Sequence, residues 1–354
     1  MSIRDFQIKI KNDLFVSKLN ELVSQGIIKD IIQVAKDALL NEDVIDVPPV
    51  LVKDLIKKSP DLFLFLLSWI RNNGRPRNSA HVLGKMFVFS WFKLKKASVL
   101  FENKENLNSM FWEESIKKYI TNDVNSLRWL VSPKYLRELY LSTEKMWDAF
   151  YSNLPNKWHP LNDDKSKIYL QYQSFSENSS LSLEQANIYF EYFFTILRSE
   201  RRLLYFSQRR YLNDKFKDYN SLDGLEDTNR PWDIDHIYPK SWKNNYERHH
   251  KVKQPFINDW IGTNGNFRAI SLTDNRSENN LLSPGERLDS PVAREQAFIT
   301  DKQWSYWSKL DKATRKVYMD NAEGNKNFFY AIVTRILDIY EEFWNTLQLD
   351  KLMD

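Results

Sequence analysis

The sequence predicts a mainly α-helical fold, and three observations carry that prediction. Apolar residues recur at three- and four-residue spacing through most of the 354 residues, as they do on helices that bury one stripe. Alternating strand patterns are rare. Glycine is scarce, at 8 residues against 22 Phe, 17 Tyr and 12 Trp. That favours bulky helix packing over glycine-rich nucleotide-binding loops, and neither a GxGxxG nor a GxxxxGK(S/T) stretch occurs.

The spacing predicts helices over residues 4–40, 49–73, 79–101, 109–120, 133–152, 182–217, 301–319 and 325–348. Turn-forming Asn, Asp, Gly, Pro and Ser cluster at 72–79, 153–166 and 218–231, where they punctuate the helical pattern. The stretch 153–180 divides a helical, bundle-like domain over 1–160 from a second domain over 161–354. Between the helix ending near 217 and the last helices lies one region without helical periodicity, residues 228–290. No internal repeat or low-complexity tract is visible.

Composition removes several function classes. With no cysteine there is no disulfide framework and no thiolate zinc site, so a bound metal would need oxygen or imidazole ligands. The longest uncharged apolar run, LFLFLLSWI at 62–70, is about half the ~20 residues that span a bilayer, and the N-terminal MSIRDFQIKIKNDLF lacks a signal-peptide core. A soluble, cytoplasmic protein without membrane contact is expected. The net charge of +4 is too small to imply a nucleic-acid partner unless it is clustered.

It is clustered at one place. Residues 198–217 hold seven Arg and Lys against two Asp and Glu. On a helix Arg198, Arg201, Arg202, Tyr205 and Arg209 share one arc, opposite Tyr189, Phe193, Ile196, Leu197, Leu203, Leu204 and Tyr211. Such a face suits a phosphate backbone, with Arg198, Arg202 and Arg209 as the contacts. The plainer reading is a solvated basic face on an ordinary amphipathic helix.

The chemistry-bearing residues follow in order. WDIDHIYPKSW places Asp235 and His236 at the end of a short strand that turns at Pro239. NGNFRAISLTDN places Asn266 before a second strand, FRAISL. Asn275 lies in DNRSENN, at the start of a helix that Thr273 or Asp274 is suited to cap. Strand, strand, helix is the predicted order.

These four residues resemble the HNH nuclease superfamily and its ββα-metal fold: Asp-His ending the first strand, Asn where the second begins, and Asn nine residues later on the helix. Over roughly 203–288 the text is most similar to the nuclease half of GmrSD-type restriction proteins. The resemblance implies a small ββα-metal unit, core about 228–290, set in a helical body near the C-terminal third. It implies a metal-dependent DNA endonuclease with His236 as general base. Asp235 and Asn275 would be ligands of Mg²⁺ or Mn²⁺, and Asn266 would hold the loop that carries the base. Lys240, Lys243 and Arg276 are further candidates for phosphate contacts on double-stranded DNA, and Asp233 for a supporting hydrogen bond.

A bacterial defence role against foreign or modified DNA also comes from the resemblance. The Asp-Gly-Gln-Gln-Arg motif of the family's N-terminal sensor domain is absent, so a sensor or partner outside this chain is implied. The segment 243–260 reads as an insertion. Its His249 and His250 lack further ligands at zinc spacing, and His81 and His159 have no chemical context. A second reading keeps the fold without the reaction: a DNA- or partner-binding module with a silent or sensor-gated site, in which His236 is a buried histidine satisfied by its neighbours.

Overall fold

The computed structural model describes residues 13–27, 46–58, 195–216, 231–250, 255–278, 282–310 and 322–352, with scattered positions among 29–37, 66–92 and 133–137, and residue 193. The helix expected over 109–120, the loops at 72–79, 153–166 and 218–230, the boundary at 153–180, and His81 and His159 lie outside the described residues.

The described chain is mostly helical with one two-stranded sheet. Helix α1 (Asp13–Ser24) opens it and stops at Gly26, whose φ of 72° suits a residue without Cβ. The single helix expected over 4–40 is therefore interrupted. Helix α2 (Pro49–Lys58) starts on a proline, which needs no hydrogen bond for its missing N–H, and buries Val50, Leu51, Val52 and Leu55.

The helix expected over 182–217 is broken twice. At Glu200 the backbone turns extended, and the carboxylate caps α3 (Arg201–Ser207) by accepting from the Arg202 N–H. At Gln208 a second irregular residue separates α3 from α4 (Arg209–Lys215). At the first break the Glu200 carboxylate caps α3 and pairs with Arg202; at the second the Gln208 amide bonds the backbone of Ala269 and Gln296.

Strand β1 (Trp232–His236) is followed by α5 (Lys240–His250) and α6 (Pro255–Ile261). The insertion expected without helical order is thus largely helical, its polar sequence hiding a period anchored by Trp242, Tyr246, Ile257, Trp260 and Ile261. A short 3₁₀ turn, Asn264–Asn266, leads into β2 (Phe267–Ser271), and β2 runs directly into α7 (Leu272–Glu278). Ser271, rather than Thr273 or Asp274, caps this helix: its Oγ accepts from the Asp274 N–H and donates to the Asp274 carboxylate.

Short helices α8 (Pro284–Arg287), α9 (Pro291–Gln296) and α10 (Asp301–Trp307) follow, each with a Ser or Thr cap. The last helix, α11 (Ala322–Thr346), spans 25 residues. It buries Phe328, Phe329, Ile332, Val333, Ile336, Leu337, Tyr340 and Phe343 along one broad face and turns Thr334, Asp338, Glu341, Glu342 and Asn345 to the other. One hydrophobic core joins it to Leu55, Trp91 and Leu136 from the first half of the chain and to Leu204, Trp232 and Phe267 around the hairpin. At about 1.5–3 kcal/mol per fully buried large side chain, this helix is the main clamp on the region that holds the motif. Among the described residues, no helix is long and apolar enough to cross a membrane.

Candidate functional site

The site is built on the antiparallel pair β1–β2, in which Asp235 faces Arg268 and His236 faces Phe267. Period-two alternation sends Trp232, Ile234 and His236 to one face and Asp233 and Asp235 to the other. The first face packs on α3, with Tyr205 edge-on to Trp232. The second lies under α7 and the Arg287 end of α8.

A two-stranded sheet leaves a free edge on β2, and side chains close it. Gln208, at the break between α3 and α4, accepts from the Ala269 N–H (2.8 Å) and donates to the Ala269 carbonyl (3.1 Å), imitating a third strand. The Tyr211 hydroxyl accepts from the Ser271 N–H at 3.1 Å. Arg335 of α11, fully buried, donates to the carbonyls of Asn264, Gly265, Phe267 and Ala297. Burial lowers its pKa to about 9, so it remains a cation at neutral pH. Every backbone group on that edge would otherwise be an unpaired polar atom in an apolar core.

The loop after His236 is fixed by Asn266, itself fully buried. Its Oδ1 accepts from the Tyr238 N–H (2.8 Å), while its Nδ2 donates to the carbonyls of Tyr238 (3.2 Å) and Ile261 (3.0 Å). The Asn266 carbonyl accepts from the Ile237 N–H at 2.8 Å. Asn264 does similar work one turn earlier, donating to the carbonyls of Leu197 and Glu200 at the first helix break and accepting from Arg201. Between them, Gly265 lies so close to α11 that a Cβ would stand 2.5 Å from the Ile332 carbonyl oxygen.

His236 is held against the Phe267 ring, centroids 4.5 Å apart. Its pKa is lowered to about 4, chiefly because burial penalises the charged ring; Lys240, Arg201 and Arg287 push the same way, and Asp235 opposes them. The imidazole is therefore neutral at pH 7.

Asp235 is not idle. Its Oδ2 takes bonds from Arg268 Nη2 (3.1 Å) and Arg287 Nη1 (2.5 Å), and Glu278 of α7 pairs with the same two guanidiniums. Asn275 donates from Nδ2 to Asp233 Oδ2 at 3.2 Å. Among the described residues, no hydrogen bond joins Asp235, His236 and Asn275 to one another. Asp235 and Asn275 share the α7 face of the hairpin with Asp233, while His236 occupies the other face at the strand's end.

The cationic face expected on the 198–217 helix is reorganised. Arg202 is buried and bonded to Glu200 and, at 3.2 Å, to Asp54 of α2. Arg209 is buried and bonded to Glu342 of α11 at 2.6 Å. Neither can meet a phosphate backbone in this arrangement, because a long-range carboxylate already neutralises each. Arg198 lies over the Trp260 ring, 4.2 Å from its centroid. Lys243 is bonded to Glu247 at 2.7 Å, while Lys240 and Arg276 are exposed. Gln208, Asn264, Arg268, Arg287 and Arg335 are site residues that the sequence does not mark; a charged Arg268 inside the strand FRAIS is the one signal it offers.

No known family model, curated protein or solved structure matches the chain. The resemblance to HNH nucleases therefore rests on the four residues and their order.

Proposed function

We propose that the chain is a metal-dependent DNA endonuclease in which His236 takes the proton of an attacking water. The observation that supports this best is the placement of His236: a neutral imidazole at the end of β1, packed on Phe267, with the loop behind it locked by Asn266. A base must be unprotonated and fixed within reach of the water it activates. Asn266 is a positioning residue, acting through the loop.

The donor set fits a hard divalent ion such as Mg²⁺ or Mn²⁺. Among the described residues no hydrogen bond occupies Asp235 Oδ1, the bond from Asn275 uses its nitrogen and leaves its amide oxygen, and Asp233 adds a carboxylate on the same face. No cluster of three His, Asp or Glu side chains forms a metal site among those residues. An ion would thus keep several waters and lean on substrate phosphate. When bound, it would polarise the phosphoryl oxygens and steady the leaving oxygen. One such site cuts one strand, and the similarity to GmrSD-type proteins extends the reading to defence against foreign or modified DNA.

One observation favours a second reading. The three guanidinium bonds on Asp235 Oδ2 make it a structural hub, as in a DNA- or partner-binding module whose cleavage is silent or gated by a sensor. Supercoiled plasmid with Mg²⁺ or Mn²⁺ separates the two. The nuclease reading expects open circles before linear product, and loss of both in His236→Ala and Asn275→Ala. Binding of the plasmid without any cleavage supports the second.

A further inference from the structure

Arg201 and Arg335 bond only neutral oxygens, unlike the other guanidiniums around the hairpin, and Arg335 is fully buried whereas Arg201 keeps part of its surface in solvent. Arg202, Arg209, Arg268 and Arg287 each bond a carboxylate. Arg201, half-buried, bonds only neutral oxygens: Nη1 to Asn264 Oδ1 at 2.6 Å and Nη2 to the Gly262 carbonyl at 3.2 Å. Its guanidinium carbon stands over the Phe267 ring, 3.7 Å from the centroid, and the same ring packs against His236. A desolvated cation without a counter-charge is costly to hold. Here its orientation is fixed by two acceptors and an aromatic face. Glu200, the nearest carboxylate in sequence, is engaged by Arg202.

Lys240 follows His236 by four residues, just past the turn at Pro239. It is the first residue of α5, exposed, and it follows the loop that Asn266 locks; among the described residues it makes no ion pair.

We propose that Arg201 and Lys240 form an anion site beside His236 that receives a phosphate of the nucleic-acid backbone. The fork of Arg201 offers two N–H groups in a plane, the geometry that suits two phosphoryl oxygens, and Lys240 adds a mobile point charge. The site rests on the nuclease reading for its role in cleavage, since the phosphate it holds would be the one next to the base. Its existence as an anion site does not depend on cleavage.

The test measures binding without divalent metal: a fluorescein-labelled 20-base-pair duplex in EDTA, titrated at several salt concentrations with the full chain. Arg201→Gln and Lys240→Gln should each weaken binding about tenfold and reduce the slope of log K against log salt by about one. Arg201→Lys should retain the slope and recover part of the affinity. Arg210→Gln, an exposed cation on α4 away from the hairpin, should bind within about twofold of wild type. If Arg201→Gln fails to fold, Lys240→Gln alone carries the test, because that side chain is exposed. Unchanged affinity and slope in the Arg201 and Lys240 variants, or no duplex binding by wild type, overturns the anion site. Cleavage then distinguishes the two ideas. A wild type that binds through Arg201 but never cuts with Mg²⁺ or Mn²⁺ refutes the nuclease reading and keeps the site. A wild type that cuts while Arg201→Gln binds and cuts equally well refutes the site and keeps the nuclease.

Discussion

Replacing Asn266 by alanine isolates the lock on the His236 loop. The amide is fully buried and makes three hydrogen bonds, to the Tyr238 N–H, the Tyr238 carbonyl and the Ile261 carbonyl. Truncation takes the amide away from all three backbone groups. An unsatisfied buried group costs about 1–3 kcal/mol. A water entering the vacated volume would recover part of that, so we expect a loss of about 3–5 kcal/mol. Asn266→Asp sharpens the test. It keeps an acceptor for the Tyr238 N–H but turns an oxygen toward two carbonyls, so it should destabilise at least as much as alanine. Urea denaturation followed by Trp fluorescence reads the shift in midpoint at constant slope. A loss below about 1 kcal/mol for both variants, less than one net hydrogen bond contributes, would refute the claim that Asn266 holds the loop.

Other expectations follow from the same geometry. Gly265→Ala places a methyl 2.5 Å from the Ile332 carbonyl oxygen and should cost about 1–3 kcal/mol by the same urea titration, with larger residues costing more. Asp235→Asn removes the carboxylate that Arg268 and Arg287 share and should cost about 3–5 kcal/mol, whereas Asn275→Ala, at an exposed bond, should cost under about 1 kcal/mol; similar losses would contradict the hub. His236 titrates at about 4 in the folded chain against an ordinary 6.5, so the unfolded chain binds the proton more readily. Its contribution is therefore undisturbed above pH 6.5 and is lost as pH falls toward 4, and the stability gap between wild type and His236→Gln should shrink over that window. A gap independent of pH would count against the buried, neutral ring. For the same reason, cleavage limited by this base should not fall between pH 7 and 5.

Much of the fold was legible because helices announce themselves in their period: α2 and α10 fall within predicted spans and α11 overlaps one, and both expected strands form, with β2 running into a helix, although α5 and α6 stand unforeseen between them. What the sequence hid were interactions between residues distant along the chain. The arc of Arg202 and Arg209 is correct as an angle on a helix, yet Asp54 and Glu342, each more than a hundred residues away, convert it from a surface into an interior. Glu200 and Gln208 look like ordinary helix residues. Their side chains act as backbone partners, one capping α3 and the other closing the edge of β2, and local propensity carries no record of that. The polar run KSWKNNYERHH conceals α5 because its few apolar anchors are spread over two turns. Asp235 and His236 were legible as residue types. Their assignment to opposite faces follows from period two, while the bonds from Arg268 and Arg287 needed the register of β2 and the position of α8.

The role of His236 as the base is tested most directly by single-turnover cleavage of a labelled duplex with Mn²⁺, comparing wild type with His236→Ala at equal folded concentration. Loss of a positioned base should slow cleavage by about 10²–10⁴-fold while duplex affinity in EDTA stays within a few-fold. Equal rates for the two proteins would contradict it.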